Sequence, residues 1–333
     1  MHLNEEKVIR FFSTSHPVNI LLLFLLGALV RIPFFITPPI VSEDVLTGTG
    51  FSVINASLFS YLNDYPVLFP AMAYVIIFIQ GLSLNGFLNS QKLFPTPHLL
   101  FVLSYVIFTS IRPEWNTLSP QLMVSVIITI CLQKLMLLYQ RVHVANDLFM
   151  LAFIAGIGSL LYKPAIVLFV FLFAGMLIFR PFHLAEWIIV FFGFSLPYYL
   201  GLSYLFIFDL WGASWDLIPY FKVVKPVFFR NSEEVVIAIL IMVPLISGFF
   251  YARKSAVRMV VLPRKSWAFI SLVLVMCAFF IFAGGGFMFD ALFLMMIPAS
   301  FFITAFFYYP NVKFFPSLYL WLILSFLTVS HFL

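Results

Sequence analysis

The chain has 333 residues, of which 63% are hydrophobic and only 9% are charged, and its mean hydropathy is +1.10. Soluble domains carry about 25% charged residues, so this composition excludes a soluble globular domain and predicts an integral membrane protein. The net charge of +5 is too small and too dispersed to indicate nucleic-acid binding. Cys131 and Cys277 lie within apolar runs and are predicted to be buried, with no disulfide or metal site.

Apolar runs separated by proline, glycine, asparagine and charge predict about ten or eleven spanning helices, because one crossing needs roughly 20 residues. The predicted architecture is one all-α polytopic transmembrane bundle over residues 1–333. The predicted spans are 18–35, 65–82, 98–111, 119–139, 148–161, 164–179, 187–206, 235–250, 266–283, 289–307 and 318–331. Pro164 predicts a tight turn between two helices or a kink within one.

The basic residues predict the orientation. With the N-terminus inside, most of the 18 lysines and arginines fall on the cytoplasmic side, above all in the basic loop 251–265, as the positive-inside rule requires. The outer loops are then approximately 36–64 and 211–234. Most of the 13 acidic residues also fall outside, although acids contribute little to orientation. This concentration indicates a use for acids on the outer face.

A candidate site follows from this placement. Its members are Glu43, Asp44, Arg31, Arg112, Lys163 and Arg230. A carboxylate can act as general base towards a hydroxyl, and cations at the membrane boundary can hold a departing phosphate. The alternative interpretation is that Arg31 and Lys163 are ordinary helix-end residues whose stems lie along apolar surface, while the acids occupy a solvated loop.

Four stretches carry, in order, a resemblance to a known family: "PPIVSEDV", "LAFIAGIGSLLYKPAIVLFVFLFAGMLIF", "WIIVFFGFSLPYYL" and "FDALFLMMIPASFFITAFF". Together they resemble the GT-C superfamily of polytopic glycosyltransferases. The first resembles the acidic motif that follows the family's first span. The second is similar to its glycine-rich helix, Lys-Pro turn and apolar helix, the third to the next helix, and the fourth to the penultimate region. The stretch "GSLLYKP…IFRPF…EW" also resembles an uncharacterised family of bacterial inner-membrane proteins.

The resemblance implies a GT-C-like bundle in the bacterial inner membrane, with the N-terminus cytoplasmic. It also implies sugar transfer from a polyprenyl-phosphate donor to an acceptor at the outer, periplasmic face. Asp44 would be the base, Glu43 its neighbour or a ligand of a divalent metal, and Lys163 a phosphate contact. Arg31, Arg112 and Arg230 are phosphate candidates from placement only. The chain departs from the pattern at Phe289–Asp290, which lacks the family's Arg-Tyr.

Two other classes of function stay open. A non-enzymatic scaffold or assembly factor of an envelope complex would depend on the basic loop 251–265 or on lipid-facing helix surfaces rather than on Glu43 and Asp44. A transporter of lipid-linked substrates would need polar residues through the bundle centre, and few are evident in the sequence. In all three cases the expected partners include membrane lipids, and nucleic acid is not expected.

Overall fold

A computed structural model describes residues 11–14, 16–38, 65–209, 211–213, 231–283 and 288–332. Within these ranges the chain forms helices and short turns, without a strand, which confirms the predicted all-α class. The α-helices are α1 (Pro17–Val30), α2 (Ile32–Ile36), α3 (Leu68–Ser90), α4 (Leu100–Thr109), α5 (Pro120–Leu137), α6 (Ala145–Leu161), α7 (Val167–Phe179), α8 (Leu184–Ile207), α9 (Ser232–Ala256), α10 (Val261–Ala283), α11 (Met288–Tyr308) and α12 (Phe314–Phe332). Turns of 3₁₀-helix occupy Pro113–Asn116, Lys163–Ile166 and Trp211–Ala213.

Several of these helices suit a bilayer. Five are long and apolar enough to cross a membrane, namely α3, α5, α8, α9 and α10. Apolar side chains also cover the outside of the bundle: on α1, Leu21, Leu25 and Leu29 are each more than half exposed. A surface of this kind is compatible with lipid rather than water. The helices therefore support a multi-pass membrane protein, whereas the exact number of spans stays a prediction.

Contacts between distant parts of the chain define two ends of the bundle. At the Arg31 end, Arg31 meets the turn Pro113–Asn116, and Arg112 in turn pairs with Glu234 at the start of α9. At the His98 end, Thr96 hydrogen-bonds to Tyr308 at the end of α11. Successive helices run from one end to the other, so the connections alternate between these two surfaces.

The core lies where α4 meets α11. Every residue of α4 is buried, and α11 packs against it. The rings of Phe101 and Phe301 have centroids 4.7 Å apart, and the hydroxyls of Ser104 and Thr304 are hydrogen-bonded at 2.9 Å. Helix α8 is peripheral by contrast: it packs chiefly on α6 and exposes most of its apolar surface.

Each predicted span overlaps one of these helices, although several boundaries differ. Helix α3 continues to Ser90, well past the predicted end at residue 82, because its polar residues find partners inside the bundle. The Ser83 hydroxyl accepts from Nε2 of Gln133 at 2.9 Å, and Nδ2 of Asn89 donates to the carbonyl of His98 at 3.3 Å. At Pro164 the chain makes a turn: α6 ends at Leu161 and α7 begins only after the 3₁₀ turn Lys163–Ile166.

The crossing of α9 and α11 gives a stability prediction. A Cβ added at Gly248 would overlap the backbone carbonyl of Phe302, so the two helices must separate to accept any side chain. We expect Gly248→Ala to lower the free energy of unfolding by about 1–3 kcal/mol, seen as a lower thermal midpoint in detergent.

The matched control is Gly86→Ala on α3, where an added Cβ would meet nothing within 4 Å. Alanine is the better helix former by roughly 0.5–1 kcal/mol, so this variant should melt at or above the wild-type temperature. Equal melting temperatures for the two variants would contradict the close packing at Gly248.

Candidate functional site

Arg31 is the most deeply buried charged residue of the described chain. It follows the last residue of α1, and its side chain lies between α1, α4 and the turn Pro113–Asn116 with only 1% of its surface exposed. A guanidinium removed from water in this way needs partners for nearly all of its N–H groups. The groups around the Arg31 guanidinium therefore determine whether it can bind a ligand or only holds helices together.

Neutral oxygen atoms surround the Arg31 guanidinium. Nε donates to Oδ1 of Asn116 at 2.7 Å, Nη1 to the carbonyl of Gly27 at 3.4 Å, and Nη2 to the carbonyl of Val106 at 3.1 Å and Oγ1 of Thr109 at 3.0 Å. The carbonyls of Gly27 and Val106 belong to the last turns of α1 and α4, where no later helical N–H is available. The negative ends of two helix dipoles thus stabilise the cation.

An aromatic ring completes the environment of Arg31. The guanidinium carbon lies 4.8 Å from the centroid of the Tyr74 ring, a distance suited to a cation–π interaction. The Tyr74 hydroxyl donates to the carbonyl of Phe24 at 2.5 Å, which fixes the ring against α1. Gly27 makes room for this arrangement, since a Cβ there would lie 2.6 Å from both the Tyr74 hydroxyl and Val106.

Asn116 connects Arg31 to a second group of charges. While its Oδ1 accepts from Arg31, its Nδ2 donates to the carbonyl of Arg112 at 2.7 Å and that of Thr109 at 3.3 Å. The Arg112 side chain donates to Glu114 at 3.3 Å and lies 3.5 Å from a carboxylate oxygen of Glu234. Arg112 and Glu234 are largely buried, whereas Glu114 is about half exposed.

Lys163 lies at the same end but on another part of the bundle. It opens the 3₁₀ turn Lys163–Ile166, which packs on α6, α7 and α10, whereas the turn Pro113–Asn116 packs on α3 and α11. Its side chain is partly buried. The structure therefore brings Arg31 and Arg112 together through Asn116, and it places Lys163 at the same surface among different helices.

Glu43, Asp44 and Arg230 lie outside the described residues. The chain that carries the two acids leaves from α2 and returns into α3, and these helices pack against each other at the Arg31 end. The predicted roles of Asp44 as base, Glu43 as its neighbour and Arg230 as a phosphate contact stay predictions. Within the described ranges, no group of three or more His, Cys, Asp or Glu side chains could hold a metal ion.

The Arg31 cluster consists of Arg31, Asn116, Arg112, Glu114 and Glu234, and the last two and Asn116 are missing from the sequence-based set. Asn116 and Glu234 have no local signal, because their partners Arg31 and Arg112 lie 85 residues or more away in the chain. Glu114 lies only two residues from its partner. Chemically, the cluster combines a buried cation held by neutral groups with a cation shared between two carboxylates. Arg31 therefore fixes helices, while Glu114 is the member of the cluster that reaches the surface.

A buried histidine distinguishes the opposite end. His98 precedes α4, is fully buried, and contacts the rings of Phe94 and Tyr308 at centroid distances of 4.8 and 5.0 Å. Neither ring nitrogen finds a hydrogen-bond partner among the described residues. Burial lowers the pKa of His98 to about 4, and the nearby positive charge of Lys313 acts in the same direction. His98 is thus a neutral residue at pH 7.

Comparison of the chain with protein-family models, with curated proteins and with solved structures finds no match.

The Arg31 cluster predicts a large effect at Asn116. We expect Asn116→Ala to cost about 2–3 kcal/mol of folding free energy, because it removes the Nε acceptor and leaves a buried charge less well compensated. Thermal unfolding in detergent measures this loss. Ser195→Ala is the control: this hydroxyl is bonded only to its own helix at Phe191, so its removal should change stability by less than about 0.5 kcal/mol.

A double variant tests the cause. Arg31→Met combined with Asn116→Leu removes the charge and its acceptor together. The double variant should lose clearly less folding free energy than the sum of the losses of Arg31→Met alone and Asn116→Leu alone. Additive losses would show that the buried charge is not the reason for the effect.

His98 predicts a pH dependence. Its pKa is lower in the folded chain than in the unfolded one, so the unfolded state binds the proton more readily and acid favours unfolding. The free energy of unfolding should be constant with respect to His98 above about pH 6.5. It should decline as the pH falls towards 4, by at most about 3 kcal/mol. His98→Phe keeps the ring contacts and should reduce this slope; an unchanged slope in melting curves would exclude His98 as its source.

Proposed function

We propose that this chain is a GT-C-like glycosyltransferase of the bacterial inner membrane, with its N-terminus in the cytoplasm. In this proposal it transfers a sugar from a polyprenyl-phosphate donor to an acceptor at the outer face. The reaction takes place at the Arg31 end of the bundle, which would face the periplasm.

One observation carries it. Lys163, in the Lys-Pro turn that resembles the family's, lies at the same end as the two helices, α2 and α3, from which the segment with Glu43 and Asp44 leaves and returns. A partly exposed cation at the boundary of a membrane helix is well placed to meet a lipid phosphate. A carboxylate in a neighbouring connection supplies the second group that such a transfer needs.

The chemistry assigns each group one task. Asp44 accepts the proton of the acceptor hydroxyl while the hydroxyl oxygen attacks the anomeric carbon of the sugar. The bond between that carbon and the phosphate oxygen breaks, and the polyprenyl phosphate leaves with the electron pair. Lys163 stabilises the negative charge that develops on this leaving group. Glu43 is the neighbour of Asp44 or would be a ligand of a divalent metal.

The arginines have different parts in this proposal. Arg112 is shared with Glu114 and Glu234, so a phosphate would compete with carboxylates for its guanidinium. Arg31 donates to helix carbonyls and to Asn116, and a phosphate would have to displace these partners. The resemblance to the family's Lys-Pro turn makes Lys163 the preferred phosphate contact, and Arg31 serves the site by holding α1 and α2 in place.

The proposal predicts that Asp44→Asn abolishes transfer while expression and folding are retained. The purified protein in nanodiscs would be incubated with a panel of polyprenyl-phosphate hexoses, and release of polyprenyl phosphate measured by mass spectrometry. Loss of a general base typically costs about 10²–10⁴-fold in rate. Lys163→Gln should lower the rate as well, with a smaller effect.

Glu233→Gln is the matched control, because Glu233 is an exposed acid at the same end that has no proposed role. It should release polyprenyl phosphate at the wild-type rate. If Asp44→Asn also releases it at that rate, the assignment of Asp44 is wrong. If the wild-type protein releases none from any donor, the scaffold hypothesis gains support.

A further inference from the structure

The turn between α9 and α10 carries a cluster of cations at the His98 end. We call it the basic turn: Arg253, Lys254, Arg258, Arg264 and Lys265, on the last residues of α9, the turn 257–260 and the first residues of α10. Lys265 lies over the Tyr139 ring, 4.9 Å from its centroid. The side chains of the other four are exposed.

The chain does not neutralise this charge. No aspartate or glutamate occurs between Glu234 and Asp290 in the sequence. The ion pairs found within the described residues involve Arg112, Arg141 and Arg180, and none involves a residue of the basic turn. Elsewhere at this end the contrast is clear, since Arg180 forms a short bidentate pair with Glu186.

Helix dipoles account for only two of the five cations of the basic turn. Arg253 and Lys254 lie in the last turn of α9, where positive charge is favourable. Arg264 and Lys265 lie in the first turns of α10, where positive charge is unfavourable. Arg258, between the two helices, belongs to neither. The positive charge that the helix dipoles do not compensate is solvated and stays available to negative charge from outside the chain.

Apolar side chains lie among these cations. Val257 and Val260 are each 75% exposed, and Val261 and Phe250 are also exposed. Because α9 and α10 are both long enough to cross a membrane, the turn that joins them lies where the hydrocarbon core meets the headgroups. Exposed valines in such a place enter the acyl region, while arginines extend to phosphate depth.

We propose that the basic turn is a binding site for anionic phospholipids. Arg258 and Arg264, together with Arg253 and Lys254, contact the phosphate groups, and Val257 and Val260 anchor the turn in the acyl chains beneath them. The partner is defined by charge complementarity and by the alternation of cations with exposed apolar residues, which suits a lipid surface better than a folded acidic protein. This inference does not depend on the proposed transferase activity.

The test uses the full-length protein in a neutral detergent, titrated with dioleoyl phosphatidylglycerol or with dioleoyl phosphatidylcholine. Native mass spectrometry follows lipid binding, and thermal unfolding follows stabilisation. Each basic residue near an anionic surface contributes about fivefold to the association constant, so Arg258→Gln with Arg264→Gln should weaken phosphatidylglycerol binding roughly 25-fold. The same variant should lose the stabilisation that this lipid gives the wild type.

Lys92→Gln with Lys134→Gln is the matched control, since it removes the same charge from exposed positions at the same end. It should keep lipid binding and stabilisation. Arg258→Lys with Arg264→Lys retains the charge and should bind like the wild type, which separates loss of binding from loss of folding. Sodium phosphate without lipid should not stabilise the protein.

Three results would overturn the proposal. In the first, the Arg258→Gln, Arg264→Gln variant binds phosphatidylglycerol with wild-type affinity. In the second, the Lys92→Gln, Lys134→Gln control loses as much lipid binding as that variant. In the third, inorganic phosphate stabilises the protein as much as the lipid does.

Discussion

A single buried cation organises one end of this bundle. The guanidinium of Arg31 meets the carbonyl ends of α1 and α4, the amide of Asn116 and the face of the Tyr74 ring. An uncompensated charge at this depth would cost several kcal/mol, so these groups must stay together for the fold to exist. Helix α1, whose leucines at 21, 25 and 29 face outwards, is fixed at its end by these contacts.

Polar groups deeper in the bundle follow the same rule. Gln80, Tyr105 and Ser125 satisfy one another across three helices, and serines on lipid-exposed surfaces bond to carbonyls of their own helix, as Ser195 and Ser203 do. Such pairing is what a medium without water requires of a hydroxyl or amide. The hydrogen bonds among Gln80, Tyr105 and Ser125 also connect α3, α4 and α5. These helices extend from the Arg31 end to the end where His98 lies.

The sequence predicted the helices well and the pairings poorly. Each α-helix of the described ranges overlaps a predicted apolar run, because each helix must be apolar whether it faces lipid or protein, although one run covers both α1 and α2. The boundaries shifted where polar residues had hidden partners, as in α3. The neighbours of Arg31 and Arg112 could not be predicted, since the contacts join residues far apart along the chain and no local pattern encodes them. Glu43, Asp44 and Arg230 lie outside the described residues, so their predicted roles stay predictions.

The burial of α4 has a consequence for the way the protein is made. A membrane protein is synthesised from its N-terminus, and α4 emerges almost 200 residues before α11, which covers it in the finished bundle. During that interval Ser104 cannot reach Thr304. Its hydroxyl can instead bond to the carbonyl of Phe101, as it also does in the finished protein. Assembly of the centre is therefore completed only when the last third of the chain has entered the membrane.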